Sequence, residues 1–250
     1  MPTPIEDPNK EAFLERVRTA LGRANPILHT PDHPSLKATT LRQEEKVRTI
    51  QAKVIARRAQ VVSRLSETAT EASWSVHRAS GPEQAAAIVA DIAEHARAKN
   101  VIRSAEDIFK RVDIDASLRR KGVSPSVLAA GRSRRRSDLK RMAFGADLGI
   151  TGVSYAIAET ASCVVTPRKG VARMASLAPP VLVLLIDEEQ VLETLDDFFA
   201  ITRLQYQQNR GRSPNYYNFI SGPSRTADIE QTLTIGVHGP GEVHMVLIAN

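Results

Sequence analysis

The sequence predicts an α/β protein built as a three-layer α/β/α sandwich with an N-terminal helical arm. The strongest signal is residues 181–186, which are apolar at every position, as expected of a parallel strand covered on both faces. Further β-type runs follow residue 147, where the density of charge falls. Helical patterns lie between these runs, and strands that alternate with helices favour a sheet with helices on both faces.

The N-terminal part is predicted to be helical. Residues 6–22 carry apolar side chains at helical spacing. Residues 25–34 hold three prolines and two histidines, which is typical of a loop. Residues 41–71 contain neither Gly nor Pro, and their irregular apolar stripe indicates one long helix. We therefore expect an arm over residues 1–70 and an α/β domain over residues 71–250.

The α/β domain begins with short elements. Residues 74–77 and 101–102 are strand candidates, and a helix opens between them at Gly81-Pro82 and runs through Ala98. Residues 113–136 carry no clear pattern. The later predicted elements are helices at 137–144 and 188–203, and strands at 155–158, 163–165, 181–186, 217–220, 233–237 and 243–248.

The composition is that of an ordinary globular protein and argues against several classes. Of the 250 residues, 42% are hydrophobic, and the longest apolar stretch, residues 177–186, is too short to span a bilayer. The first residues have no apolar run behind a basic start, so we expect no secretory signal. Cys163 is the single cysteine, which alone cannot hold an iron–sulfur cluster or form an internal disulfide. We expect a cytoplasmic protein with no tightly bound cofactor, cluster or metal and no membrane contact.

Part of the net charge of +6 lies in residues 132–141, which read RSRRRSDLKR. The run sets six basic residues against Asp138 and contains no aromatic residue, so the stacking surface of a single-stranded nucleic-acid site is missing. We interpret it as a solvated surface segment, and nucleic acid is not an expected partner. A docking surface for an acidic protein partner is the alternative.

The first candidate site segment is residues 149–162, GITGVSYAIAETAS. Gly152 permits the close approach of a ligand to the backbone. Glu159 ends a small apolar stretch and is followed by Thr160, and a lone carboxylate there suits a general base, a nucleophile or an acceptor for a substrate hydroxyl. The alternative is a structural Glu159 that accepts backbone N–H groups and fixes the turn.

The second candidate segment, SGPSRTADIE at residues 221–230, follows a predicted strand. Its backbone N–H groups and hydroxyls, with the forked cation of Arg225, suit a carboxylate or a phosphate. Asp228 and Glu230 bring negative charge close by, and the alternative is that one of them holds Arg225 as an internal clamp. The candidate binding residues are Ser221, Gly222, Ser224, Arg225, Thr226 and Asp228.

The third candidate segment, residues 237–244, contains a Gly-Pro-Gly turn between two predicted strands. His238 is a candidate general acid or base, and Gly239 is a candidate substrate contact. For His244 a structural role is the commoner outcome, and the histidine spacing matches no zinc pattern. We expect the three segments to fold back into one anion-accepting cleft at one rim of the sheet, with Glu159 and His238 as catalytic candidates.

These segments resemble the lactate utilisation protein C family, which carries the LUD domain. The resemblance rests on GITGVSYAIAETAS, RMASLAPPVLVLLI and ISGPSRTADIEQTLTIGVHGPGEVHMVLI and covers residues 145–250 most strongly. It implies the fold of ribose-5-phosphate isomerase, glucosamine-6-phosphate deaminase and CoA transferases, with similarity to 5-formyltetrahydrofolate cyclo-ligases. It also implies one component of a three-part system that oxidises L-lactate to pyruvate beside two iron–sulfur-type partner proteins.

Three functional hypotheses follow. The first is the cluster-free component of such a system, which binds a small carboxylate- or phosphate-bearing anion; Arg225 anchors the carboxylate, and Glu159 or His238 accepts the proton. The second is an autonomous enzyme of the same superfold, such as a CoA transferase, an isomerase or a formyltetrahydrofolate ligase. The third is a binding or regulatory protein that docks through the basic run.

Overall fold

The computed structural model describes residues 8–22, 38–129, 135–168, 173–210, 212, 214, 216–226 and 233–249. Helix α1 (Pro8–Ala20) lies within the predicted first helix and is described by itself. A compact unit begins at Thr40. Its elements are α2 (Thr40–Ala56), α3 (Arg58–Glu71), β1 (Ser75–Ala79), α4 (Pro82–His95), β2 (Val101–Arg103), α5 (Ile108–Arg111), α6 (Ile114–Arg120), β3 (Ser126–Val127), α7 (Arg136–Phe144), β4 (Leu148–Gly152), β5 (Tyr155–Ile157), β6 (Ser162–Val165), α8 (Met174–Leu177), β7 (Val181–Asp187), a 3-10 helix (Glu188–Gln190), β8 (Val191–Leu192), α9 (Leu195–Gln208), β9 (Asn218–Ile220), β10 (Arg225–Thr226), β11 (Thr234–Ile235) and β12 (Glu242–Ile248).

The central sheet runs in the order β1-β12-β7-β4-β2-β3, and every neighbouring pair is parallel. Side chains alternate across a strand, so the central strand β7 serves two cores. Leu182, Leu184 and Ile186 enter one core, while Val183 and Leu185 enter the other. All five side chains are fully buried, which confirms the predicted doubly covered strand.

Helices cover both faces of this sheet, as the fold class predicts. On one face, Val89 of α4 and Leu118 of α6 pack against Val183 and Leu185. On the other face, α3 supplies Leu65 and further apolar residues to the opposite core. Because each face of a parallel sheet is apolar, it needs such a cover to be removed from water.

A second sheet, in the order β8-β5-β6-β9, is an addition to the predicted layers. Ala156 and Cys163 pack into the core shared with α3 and the central sheet. Ile157 and Val164, on the other side of these strands, pack against Phe198 of α9 and against α2. The small sheet is therefore itself buried between the central sheet and a pair of helices.

Two long helices predicted from the sequence differ from those in the structure: one is divided in two, and the other begins later. The helix predicted over residues 41–71 breaks at Arg57, whose φ of −119° and ψ of 19° leave the helical region. The break lets α2 and α3 turn their apolar stripes to different cores. The helix predicted over residues 188–203 begins only at Leu195, because Val191–Leu192 pairs with β5 and Thr194 caps α9. Side chains of α2 and α3, which lie in the predicted arm, thus pack into the cores. The domain boundary at residue 70 stays a prediction.

Candidate functional site

The carboxyl ends of three neighbouring strands meet at one cavity. Strands β2, β4 and β7 are adjacent and parallel, and the segments that follow them line a cavity of about 310 Å³. In open α/β sheets this edge is where ligands bind. We name this space the Glu106 cavity; its walls include Glu106, Arg111, Gly152, Arg168, Asp187 and Gln190.

The side chain of Glu106 is buried, with only 6% of its surface exposed, and hydrogen bonds hold it in a fixed orientation. Its Oε2 accepts three hydrogen bonds, from Ser104 Oγ at 2.6 Å, Thr151 Oγ1 at 2.7 Å and the backbone N–H of Gly152 at 2.6 Å. Its other oxygen, Oε1, faces Arg168 Nη2 at 3.8 Å. Because Oε2 is saturated by donors of the chain, Oε1 is the oxygen positioned to accept a hydrogen bond from a ligand.

The glycine at position 152 leaves room for Glu106 to approach the backbone closely. A Cβ atom at Gly152 would lie 3.1 Å from Glu106 Oε2 and 3.1 Å from Ile108 Cγ2. The sequence predicts a close approach to Gly152, and in the structure a carboxylate of the chain itself makes that approach. Contact of Gly152 with a ligand stays a prediction.

The cavity contains charges of both signs. Arg168 is 55% exposed and approaches Glu106, whereas Arg111 forms an ion pair with Asp187 at the end of β7. Gln190 fixes the turn that follows, since it accepts from Asp187 N at 2.9 Å and donates to Val153 O at 2.7 Å. A guanidinium and a carboxylate oxygen side by side can bind the carboxylate and the hydroxyl of one 2-hydroxy acid.

The second and third predicted segments lie at the opposite edge of the central sheet. The N–H of Gly241 donates to Pro180 O at 2.9 Å, and these two residues directly precede β12 and β7. The N–H of Ser224 donates to Pro240 O at 2.8 Å, which ties its loop to the same amino edge. Gly152 ends a strand at the carboxyl edge. Gly152 therefore lies apart from the second and third segments, because parallel strands keep their two ends at opposite edges. Thr160, at the other end of the first segment, is linked to the second segment through Ser162, and a single cleft formed by all three segments stays a prediction.

At the amino edge the predicted polar side chains bond to groups of the chain itself. Thr160 Oγ1 donates to Ser162 Oγ at 2.8 Å, and the hydroxyls of Ser162 and Ser221 are 2.6 Å apart. Thr160 and Ser221 are thus brought together through Ser162. Arg225 Nη2 donates to Ser73 Oγ, whereas Asp228 and Glu230, the carboxylates of the alternative interpretation, lie outside the described residues. The ligand roles predicted for these residues stay predictions.

His238, Gly239 and Gly222 belong to the same group of loops. The N–H of His238 donates to Ser224 Oγ at 3.3 Å, and the residue is exposed. A Cβ atom at Gly239 would lie 3.5 Å from Ser224 Cβ, an ordinary contact. Gly222 has a φ of 123°, and a Cβ there would lie 2.6 Å from Ala72 O, so this position requires glycine.

The remaining predicted residues lie elsewhere. Glu159 Oε2 accepts the N–H of Leu195, the first residue of α9, at 3.0 Å, where a carboxylate stabilises the helix start. This contact agrees with the structural alternative, and Glu159 does not line the Glu106 cavity in the described part of the chain. Thr226 pairs with Thr234 in the β10–β11 hairpin. Asp228 lies outside the described residues.

His244 occupies the structural role that its apolar strand predicts. Its Nδ1 lies 3.1 Å from His77 Nε2, and its Nε2 lies 2.9 Å from Glu242 Oε1. Burial lowers the pKa of both imidazoles; the neighbouring His244 lowers that of His77 further, while Glu242 opposes the shift in His244. Both rings are therefore neutral near pH 7.

Glu106 and Arg168 were missed by the sequence reasoning. Glu106 follows the strand candidate at residues 101–102 within a few positions, and Arg168 follows the one at residues 163–165 in the same way. Polar residues just past a strand are a signal for the carboxyl edge of a sheet. The signal was weak because β2 has only three residues.

In the ranges given above, no three His, Cys, Asp or Glu side chains are grouped to hold a metal ion. Over the same ranges, no helix has the length and apolar character needed to cross a membrane. The expected lack of a tightly bound cofactor and the cytoplasmic location stay predictions.

The amino-acid sequence is similar to those of known proteins. The LUD domain family matches residues 62–248. Lactate utilization protein C of Halalkalibacterium halodurans is 29% identical over 92% of this chain and 94% of that protein. The protein of the same name from Exiguobacterium sp. is 38% identical over 44% of this chain and 47% of that protein. The Bacillus subtilis protein of that name is 31% identical over 42% of this chain and 43% of its own length.

A solved structure supports the fold. The crystal structure of a DUF162 family protein from Deinococcus radiodurans aligns with a TM-score of 0.52 and covers 76% of this chain and 98% of that one. The two sequences are 19% identical, so this likeness supports the arrangement of strands and helices alone.

Proposed function

Because this chain belongs to the LUD domain family, we propose that it is the cluster-free component of a three-part system that oxidises L-lactate to pyruvate. The names of its relatives, lactate utilization protein C, support a role in lactate utilisation. We further propose that it binds a small carboxylate- or phosphate-bearing anion. The site we assign to this anion is the Glu106 cavity.

The observation that carries the anion site is the pairing of Glu106 with Arg168. Oε1 of a buried, oriented carboxylate lies 3.8 Å from a guanidinium that is 55% exposed. The ligand's carboxylate or phosphate replaces water around Arg168, where a forked, charge-assisted pair is strong. The ligand's hydroxyl donates to Glu106 Oε1, which positions this carboxylate to accept its proton.

Electron transfer is assigned to partner proteins. Oxidation of lactate to pyruvate removes two electrons, and an acceptor must take them. Cys163 is the single cysteine of the chain and is fully buried, whereas an iron–sulfur cluster needs several thiolates. We therefore propose iron–sulfur-type partner proteins as the electron carriers and expect no lactate oxidation by the isolated chain with a soluble dye as acceptor. Robust turnover by the isolated chain would contradict this division.

The test of the anion site is calorimetric titration of the full chain with L-lactate and with inorganic phosphate. Arg168→Gln is expected to weaken binding at least about tenfold, because the charge-assisted pair is lost. Arg225→Gln is the matched control, since Arg225 is an exposed arginine at the amino edge. Weakened binding in Arg225→Gln with none in Arg168→Gln would move the site to the loops of the amino edge. Unchanged binding in both variants would contradict either assignment.

A further inference from the structure

The Glu106 cavity adjoins a second cavity of about 500 Å³. Arg168 lines both spaces, and Val153 of the first is followed in the chain by Ser154 of the second. We name the second space the tyrosine compartment. Its walls include Tyr155, Thr166, Pro167, Gln205 and Tyr217.

The aromatic walls of the tyrosine compartment are fixed from behind. The rings of Tyr155 and Tyr217 contact Phe198 edge-on, at centroid distances of 5.8 Å and 5.4 Å. Phe198 is fully buried, so it provides a rigid backing for both rings. Tyr155 Oη accepts a hydrogen bond from Gln205 Nε2 at 3.3 Å. Preset aromatic walls of this kind suit a flat ring, which stacks on them or meets their edges.

Together, the two spaces that share Arg168 are larger than lactate requires. Cavities of about 300–1,000 Å³ commonly enclose drug-sized molecules, and the Glu106 cavity, at about 310 Å³, already lies in that range. A ligand as small as lactate would leave the tyrosine compartment without an occupant. Arg168 lies at the boundary, where it can hold the anionic group of a ligand whose body extends into the second space.

We infer that this protein binds a ring-bearing anion, whose carboxylate or phosphate pairs with Arg168 while its planar ring lies in the tyrosine compartment. This inference rests on the proposed function, because it uses the same cavity and the same arginine. It adds the size and the aromatic character of the ligand. The carboxylate and phosphate forms share this chemistry, and the experiment separates them.

The experiment compares two matched pairs of probes by calorimetry on the full chain. One pair is L-lactate and L-3-phenyllactate, and the other is inorganic phosphate and adenosine 5′-monophosphate. In at least one pair, the member with a ring is expected to bind about tenfold tighter or more, as aromatic contact with a ring typically provides. The pair that shows this gain identifies the anionic group.

Two tryptophan variants test where the ring lies. Gln205→Trp places an indole in the tyrosine compartment from the exposed surface of α9 and is expected to abolish the gain while leaving the ring-free probe unaffected. Tyr206→Trp, at the next position of α9, is the control, because Tyr206 is 51% exposed and does not line the described walls of the compartment. Circular dichroism and thermal melting verify that both variants fold.

The outcomes separate this inference from the proposed function. Equal affinities within both pairs would overturn the inference, and a gain that survives Gln205→Trp would overturn the placement of the ring. In either case, binding of a ring-free probe that depends on Arg168 would leave the proposed anion site intact. If no probe binds, or if binding ignores Arg168, the anion site itself fails.

Discussion

Glu106 and Gly152 are 46 positions apart in the chain and are joined by a hydrogen bond of 2.6 Å from a backbone N–H to a buried carboxylate oxygen. The bond fastens the segment after β2 to the last residue of β4. It gives the carboxyl edge of the central sheet a carboxylate whose orientation is fixed before a ligand arrives. Such preorganisation is what a binding or proton-accepting group requires.

Removal of one donor to Glu106 is expected to destabilise the fold. Thr151 is 1% exposed, and its hydroxyl donates to Glu106 Oε2. Thr151→Val is expected to lower the free energy of unfolding by about 1.5–3 kcal/mol, because the lost hydrogen bond involves a charged group. Urea denaturation measures this change.

The matched control for that variant is Thr202→Val. Thr202 is 9% exposed, and its hydroxyl donates to Phe199 O within α9 at 3.2 Å. Its loss is expected to cost about 1 kcal/mol or less, since the acceptor is uncharged. Equal losses of unfolding free energy in the two variants would show that the hydrogen bond to Glu106 stabilises the fold no more than the one within α9.

Gly149 is expected to tolerate no side chain. A Cβ atom there would lie 2.1 Å from Ala175 O and 2.9 Å from Pro179 Cγ. Gly149→Ala is therefore expected to lower the free energy of unfolding by about 3 kcal/mol or more, because backbone must shift to relieve the overlap. Gly239→Ala, with its nearest contact at 3.5 Å, is expected to cost far less. Similar melting temperatures for both variants would contradict the packing around β4.

Cys163 is expected to be unreactive in the folded protein. The thiol is fully buried, and burial raises its pKa well above the ordinary value, so almost no reactive thiolate is present. A colorimetric disulfide reagent should modify it only after denaturation. Phe144→Cys is the positive control, because Phe144 is 74% exposed. Rapid modification of the parent protein would show that the core opens on the timescale of the assay.

The stability of the fold is expected to fall below about pH 6.5 through the His77–His244 pair. Burial lowers both pKa values in the folded chain, whereas an unfolded histidine titrates near about 6.5. Below that pH the unfolded chain binds more protons than the folded chain does. The stability of the folded state therefore rises with pH in this region and levels off above it. Urea midpoints across the range measure the slope, which His77→Phe should reduce. Imidazole resonances that titrate above about 6.5 for either ring would contradict the assignment.

Much of the fold could be predicted from local patterns. The apolar strand at residues 181–186, the helix opened by Pro82 and the strand before Ser221 all lie where their patterns place them. These elements were predictable because apolar periodicity and turn residues report burial directly. The second sheet was not, since the pairing of its strands is non-local and β8, with two residues, lies within a stretch predicted as helix.

The candidate site was predicted less well than the fold. The sequence predicted the close approach of a ligand to Gly152, whereas the structure shows Glu106 of the chain itself beside it. It also joined Gly152 with Arg225 and His238, which lie at the other edge. Chemical character could be read from each segment, whereas the edge of the sheet that each segment occupies depends on strand direction. Glu159 illustrates the same limit, because only α9 reveals that its carboxylate caps a helix.

The sequence by itself determined the family, the α/β class and the presence of a single cysteine, because these follow from motifs, periodicity and composition. Only the tertiary structure decided which polar groups meet. Glu106, Thr151 and Arg168 come from three separate segments, and they are brought together by the parallel pairing of β2 with β4 and by the fold-back of the small sheet. The physical reason is that a hydrogen bond or an ion pair depends on distances of a few ångströms in space, and spacing along the chain does not specify them.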